Sequence, residues 1–141
     1  MQAALLMKDG TITDLEGDLI FDLPMDSEFH FVIRHRNHLD ILSANPVERK
    51  LYMNYSFNLQ SKAYGPEALK YSGDNKWLMY AGDVNQDIVI QTTDYDEWFF
   101  NPSQVGVYNA VDMNLDGVIQ VTDYDAWFLN KSKVAVPELG Y

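Results

Sequence analysis

The sequence predicts an α+β fold, and two periodicities predict it. Residues 1–57 alternate apolar and polar side chains at the period of a β-strand, whereas two later segments repeat one another and carry apolar residues at helical spacing. The strand candidates are residues 2–7, 11–15, 18–23, 29–35 and 51–57, separated by Asp9-Gly10, Glu16-Gly17 and Pro24-Met25-Asp26-Ser27. In the fourth, Phe29, Phe31, Ile33 and His35 fall on one face and His30, Val32, Arg34 and Arg36 on the other, the pattern of a sheet with one covered face. Together these strands predict a small antiparallel β-sandwich over residues 1–72. Residues 58–75 read as a polar connector, with one helical turn at Gly65-Pro66-Glu67-Ala68-Leu69-Lys70 and Pro66 at its first position. Trp77-Leu78-Met79-Tyr80 leads into a second unit, residues 76–135, and Val134 to Tyr141 pack back or trail.

Bulk properties narrow the function classes. Hydrophobic residues make up 47% and aromatics 13%, enough to build a core and too many for a disordered chain. No apolar run is long enough for a transmembrane helix. Met1 to Gly10 lacks the basic start and apolar stretch of a signal peptide, so the chain reads as a piece of a longer protein. A net charge of −11 argues against nucleic acid and against anionic membranes as partners. With no cysteine there are neither disulfides nor thiolate metal sites.

The repeat carries the chemistry. Segment 82–101 matches 111–130 at 13 of 20 positions, with a constant offset of 29 from Asp83 to Asp112. A hard cation needs carboxylate and carbonyl oxygens brought to a point, and a tight loop of alternating short polar side chains does this. In the second repeat Asp112, Asn114 and Asp116 occupy loop positions 1, 3 and 5, and Gly117 takes position 6, where the chain turns through positive φ. Val118 offers its carbonyl at position 7, Gln120 acts through a water at position 9, and Asp123 closes the loop at position 12. Ile119, at position 8, is where paired loops join in a two-stranded contact. The first repeat presents Asp83, Asn85, Asp87, Val89, Gln91 and Asp94 at the same positions, but Ile88 replaces the glycine. A β-branched residue in the left-handed region is strained by about 1–2 kcal/mol, enough to weaken a site roughly tenfold. The expectation is therefore two calcium sites, with loop 2 filled and loop 1 weaker or distorted.

After each loop the pattern becomes helical. Thr93 and Thr122 are N-cap candidates, with Asp96 and Asp125 three residues on. Tyr95, Trp98 and Phe99 match Tyr124, Trp127 and Phe128, one aromatic stripe per helix, expected to pack on each other as core. Asn101-Pro102 ends the first helix.

Both loops close with Asp where an ordinary EF-hand has Glu, no helix is evident before the first, and the loop–helix unit is duplicated. In these respects residues 82–130 resemble the dockerin family. The resemblance implies two calcium loops, each followed by a helix, packed together and docking onto a cohesin-like domain or a neighbouring module of the same protein. It also implies partner contacts at Thr92, Thr93, Val121 and Thr122. Residues 29–46 look like a recurring segment of bacterial secreted surface proteins, and residues 19–24 with 29–34 are similar to prealbumin-like sandwich modules of surface proteins, so the sandwich is expected to be Ig-like or prealbumin-like. The implied setting is extracellular or on the bacterial cell surface.

Other chemistry finds little support. His35 and His38 lack an evident third metal ligand, so Arg34-His35-Arg36-Asn37-His38 reads as a strand end and turn whose arginines pair with acids. The sequence shows no Ser-His-Asp pattern, no phosphate-binding glycine loop and no HExxH, and six of its carboxylates are accounted for as ligands. The expectation is a non-catalytic calcium-binding module that acts in protein–protein attachment or as a structural cap. The alternative is an accessory module of a larger secreted enzyme such as a glycoside hydrolase.

Overall fold

A computed structural model describes residues 3–7, 10–17, 19, 21, 23–24, 26–51, 53–101, 103–106 and 108–136. The architecture is mixed α+β: among the described residues there are eight short strands and one 3-10 turn, followed by two helices. Strand β1 (Leu5–Leu6) pairs with β2 (Ile12–Thr13), and β3 (Glu28–Phe29) pairs with β6 (Val47–Glu48). The longest ladder joins β4 (Val32–His35) to β5 (His38–Leu42) around the Arg36-Asn37 turn, with a bulge between Ile33 and His35. Strand β7 (Lys70–Tyr71) pairs with β8 (Trp77–Leu78). All four pairs are antiparallel two-stranded sheets.

Several expectations shift in detail. The strand expected over 29–35 breaks at His30-Phe31, yet its alternation survives: Val32 and Arg34 are exposed while Ile33 and His35 are half-buried. No strand forms among the described residues of 51–57; instead Phe31, Tyr55 and Phe57 make a row of ring contacts. Of the expected strand at 18–23, Asp18, Ile20 and Asp22 lie outside the described residues. The stretch read as a connector folds as the 3-10 turn Gln60–Lys62 and the β7–β8 hairpin. No helical turn follows Pro66, because Glu67 takes a positive φ of 55° that ends any helix at its start.

Helix α1 (Thr92–Phe99) and helix α2 (Val121–Asn130) each follow directly after one loop. Their N-caps are Gln91 and Gln120, two residues earlier than the threonines expected. The reason is the last acid of each loop: Asp94 accepts the Gln91 N–H at 2.9 Å and Asp123 accepts the Gln120 N–H at 2.8 Å. Each acid thus holds the helix entrance as well as closing its loop. The aromatic stripes meet as expected, with Tyr95 on Tyr124 and Trp127 and with Trp98 on Tyr124. The far ends of the stripes, Phe99 and Phe128, remain exposed.

The core crosses the boundary expected between the two parts. Leu39 of β5 packs with Tyr80, Ile90 and Ala135, and Ile88 and Trp127 close over them. A second cluster, Val84, Val111, Met113 and Ile119, lies between the loops, while Ile41, Ala63 and Leu69 form a third beneath the hairpins. Polar bonds cross as well: Leu39 N–H to Tyr80 O at 2.8 Å, and Lys70 Nζ to Asn130 Oδ1 at 2.7 Å. Val134 and Ala135 pack back onto loop 1, and residues 137–141 lie outside the described set. Among the described residues no helix is long and apolar enough to cross a membrane.

Candidate metal centre

The two loops fold alike, bond for bond. Asp83 accepts the N–H groups of Asp87 (3.1 Å) and Ile88 (3.2 Å), and Asp112 accepts those of Asp116 (3.1 Å) and Gly117 (3.1 Å). Asp94 takes the Val84 N–H at 2.8 Å, as Asp123 takes the Met113 N–H at 2.7 Å. At position 3 the Asn85 amide is tethered to Thr93 Oγ1 at 3.0 Å, and Asn114 to Thr122 Oγ1 at 2.8 Å. At position 9 the Gln91 and Gln120 side chains donate to Asp87 and Asp116 at 3.0 and 3.2 Å. Thr92, Thr93, Val121 and Thr122 are all exposed, but the Thr93 and Thr122 hydroxyls are engaged by those asparagines.

Ile88 does not spoil the first loop. It adopts φ 69°, close to the 80° of Gly117, and so carries the strain expected of it. Its side chain is half-buried against the Leu39–Tyr80–Ile90–Ala135 cluster, which offsets that strain with apolar burial. Position 4 also turns through the left-handed region in both loops, at Gln86 (58°) and Leu115 (63°).

The loops do not join through position 8 of one to position 8 of the other. Each pairs with a segment that follows a helix: Val118 bridges Val105, and Val89 bridges Val134. The Ile119 N–H reaches Gln104 O at 2.8 Å, and the Ile90 N–H reaches Lys133 O at 2.9 Å. Ile90 and Ile119 are spent as buried core instead. The repeats are linked through their tryptophans: Trp98 Nε1 donates to Gln120 O at 3.2 Å and Trp127 Nε1 to Gln91 O at 2.9 Å. This exchange leaves both indoles half-buried and ties each helix to the other loop.

Electrostatics single out loop 1. Oxygens of Asp83, Asp87 and Asp94 lie within 4.8 Å of one another, the one such group among the described residues. Burial, then the facing Asp94, pushes the Asp83 carboxyl up to about 6. Burial also raises Asp94, against the pull of the Gln91, Asn85 and Val84 N–H groups. Three carboxylates at this spacing could hold a metal ion, and an oxygen-only donor set suits a hard cation. In loop 2 the Val118 N–H lowers Asp116 instead.

His35 and His38 stack edge to face at 4.6 Å with no third ligand joining them among the described residues. Burial first, then His35 and Arg36, drives His38 down to about 3, so it stays neutral and donates from Nδ1 to Asn37 Oδ1 at 2.7 Å. Arg34 pairs with Asp40 at 3.0 Å, and Arg36 with Asp112 at 3.6 Å. Sequence reasoning anticipated arginine–acid pairs but not that Asp112, a loop residue, would be one of the acids. The chain finds no match among protein-family models, curated proteins or solved structures.

Proposed function

We propose that residues 76–135 form a dockerin-like pair that binds two calcium ions, and that the chain is a non-catalytic, calcium-stabilised structural cap of a secreted or cell-surface protein. The observation that carries the reading is the convergence of Asp83, Asp87 and Asp94 in a loop whose internal hydrogen bonds are matched by those of Asp112, Asp116 and Asp123. Asp83, Asn85, Asp87 and Asp94 would hold one ion with the Val89 carbonyl; Asp112, Asn114, Asp116, Asp123 and the Val118 carbonyl would hold the other. Gln91 and Gln120 stand at position 9 of each set. Calcium would supply charge neutralisation, and binding would be coupled to folding. Millimolar extracellular calcium keeps even a modest site of this kind loaded.

A cap is preferred to a free docking module because the repeat pair shares its core with the β part, a small sandwich-like module in this reading. Leu39 shares one buried cluster with Tyr80, Ile90 and Ala135, against which Ile88 and Trp127 pack. Attachment to a cohesin-like partner is the second reading. It is favoured by the exposed apolar residues Phe99, Phe100, Val121 and Leu129 on and beside the helices. Acrylamide quenching separates the two: a cap keeps Trp98 and Trp127 shielded with and without partner candidates, whereas quenching of both supports an open docking face. Calcium itself is tested by amide exchange. Protection of the Val84, Gln91, Met113 and Gln120 amides should rise with calcium, and indifference of all four counts against the reading.

A further inference from the structure

The β4–β5 turn lies across both loops, although Asn37 and Asp112 are 75 residues apart in sequence. Asn37 is fully buried and donates to Ala110 O at 2.8 Å and to Asp112 O at 2.6 Å, at the first position of loop 2. Its own carbonyl accepts the Gly82 N–H at 2.8 Å, at the entrance to loop 1. The Arg36 carbonyl accepts Gln86 Nε2 of loop 1 at 3.1 Å. The Arg36 side chain goes the other way. Its Nε donates to Asn109 O at 3.2 Å, its guanidinium lies 3.9 Å from the centre of the Tyr108 ring, and Nη2 stands 3.6 Å from Asp112 Oδ2. Among the described residues no ion pair involves Asp83, Asp87 or Asp94. Loop 1 therefore brings three carboxylates together with no cation paired to them, whereas loop 2 holds Arg36 beside its first acid.

We propose that Arg36 is a built-in counter-cation that sets the order in which the loops fill, loop 1 taking calcium first and loop 2 following at higher concentration. The inference rests on the calcium reading above. A cation beside Asp112 relieves repulsion in the metal-free loop, so an incoming ion gains less there, and it repels that ion directly. The Asp112 side chain is only 2% exposed and that of Arg36 19%, so water and salt screen the pair weakly. A unit charge fixed beside a divalent site in such surroundings changes affinity by about tenfold. The Tyr108 ring and the Asn109 carbonyl hold the guanidinium in place, which makes the effect a property of the fold and not of a mobile side chain. Ile88 alone predicts the opposite order.

The test isolates each loop in the full chain. Asp112→Asn with Asp116→Asn leaves loop 1, and Asp83→Asn with Asp87→Asn leaves loop 2; each is titrated with calcium by calorimetry. Loop 1 alone should bind about tenfold more tightly than loop 2 alone. Adding Arg36→Gln to the loop-2 protein should tighten it about tenfold. Tyr108→Ala, at an exposed ring that serves no core, should shift loop 2 the same way by a smaller factor, and it decides the matter should Arg36→Gln fail to fold. A loop 2 that binds more tightly than loop 1, or that neither substitution tightens, overturns the role of Arg36 while leaving two calcium sites standing. Absence of calcium uptake by the unsubstituted chain overturns the calcium reading, and this inference with it.

Discussion

Loops 83–94 and 112–123 present the same ligand types at the same spacing, and the structure gives them nearly the same internal bonds. What differs is the company each keeps. Loop 1 turns through Ile88, which packs against the Leu39–Tyr80–Ile90–Ala135 cluster. Loop 2 turns through Gly117, where an added Cβ would meet nothing within 4 Å. Loop 1 has uncompensated carboxylates, and loop 2 has Arg36 against its first ligand. A repeat in sequence therefore specifies a loop, but its neighbours in the fold decide its strain and its charge.

The largest expected effect is the loss of metal. With millimolar calcium in large excess over the dissociation constants, linkage stabilises the fold by about 3 kcal/mol, worth about 10 °C in melting temperature for a domain of this size. Chelation should remove that shift. The Asp83→Asn, Asp87→Asn variant should lose more of it than Asp112→Asn, Asp116→Asn, as thermal melts with and without calcium will show.

Next comes the residue that joins the loops. Asn37→Ala removes the donor to a buried and a part-buried carbonyl and should cost about 2–3 kcal/mol in denaturant unfolding. Both loops should show faster amide exchange, because the turn touches both.

The position-6 exchange is smaller and asymmetric. Gly117→Ile has room for its Cβ but forces a β-branched residue to positive φ, a loss of about 1–2 kcal/mol. Ile88→Gly relieves similar strain and gives up partly buried packing, so its net change stays within about 1 kcal/mol. Chemical denaturation of the two single variants measures the contrast; equal effects would remove the claimed role of Ile88 in the core.

A pH dependence at Asp83 of loop 1 completes the set. Asp83 rises from 3.8 to about 6 on folding, so the folded chain holds this proton more tightly, and the group's contribution to stability falls as pH rises through that window. Metal-free Asp83→Asn should therefore be more stable than the unsubstituted chain at pH 7, with the difference shrinking toward pH 4. His38, depressed to about 3, makes stability rise with pH from about 3 toward 6.5, but it is common to both proteins and cancels in the comparison.

The parts legible in the sequence are those whose signals are local. Thirteen matched positions announced the duplication, short polar residues at alternate positions announced the loops, and the absence of glycine at 88 announced a residue at positive φ. Helix positions followed from the aromatic stripes, but the caps came out two residues early because Asp94 and Asp123 hold the backbone N–H of Gln91 and Gln120. The β part was legible only as alternation. Its ladders are mostly two residues long, too short for a period to mark, and His38–Leu42 pairs across a bulge that no pattern signals. The contacts that tie the halves together, Arg36 to Asp112 and Leu39 to Tyr80, join residues far apart in the chain and carry no sequence signature.

Calorimetric titration of the metal-stripped chain with calcium tests the central claim most directly. The account predicts two binding events, one lost with Asp83→Asn, Asp87→Asn and the other with Asp112→Asn, Asp116→Asn, each accompanied by a rise in melting temperature. No heat and no stabilisation at millimolar calcium would contradict it, leaving the repeats as an acidic helical duplication held by its tryptophans alone.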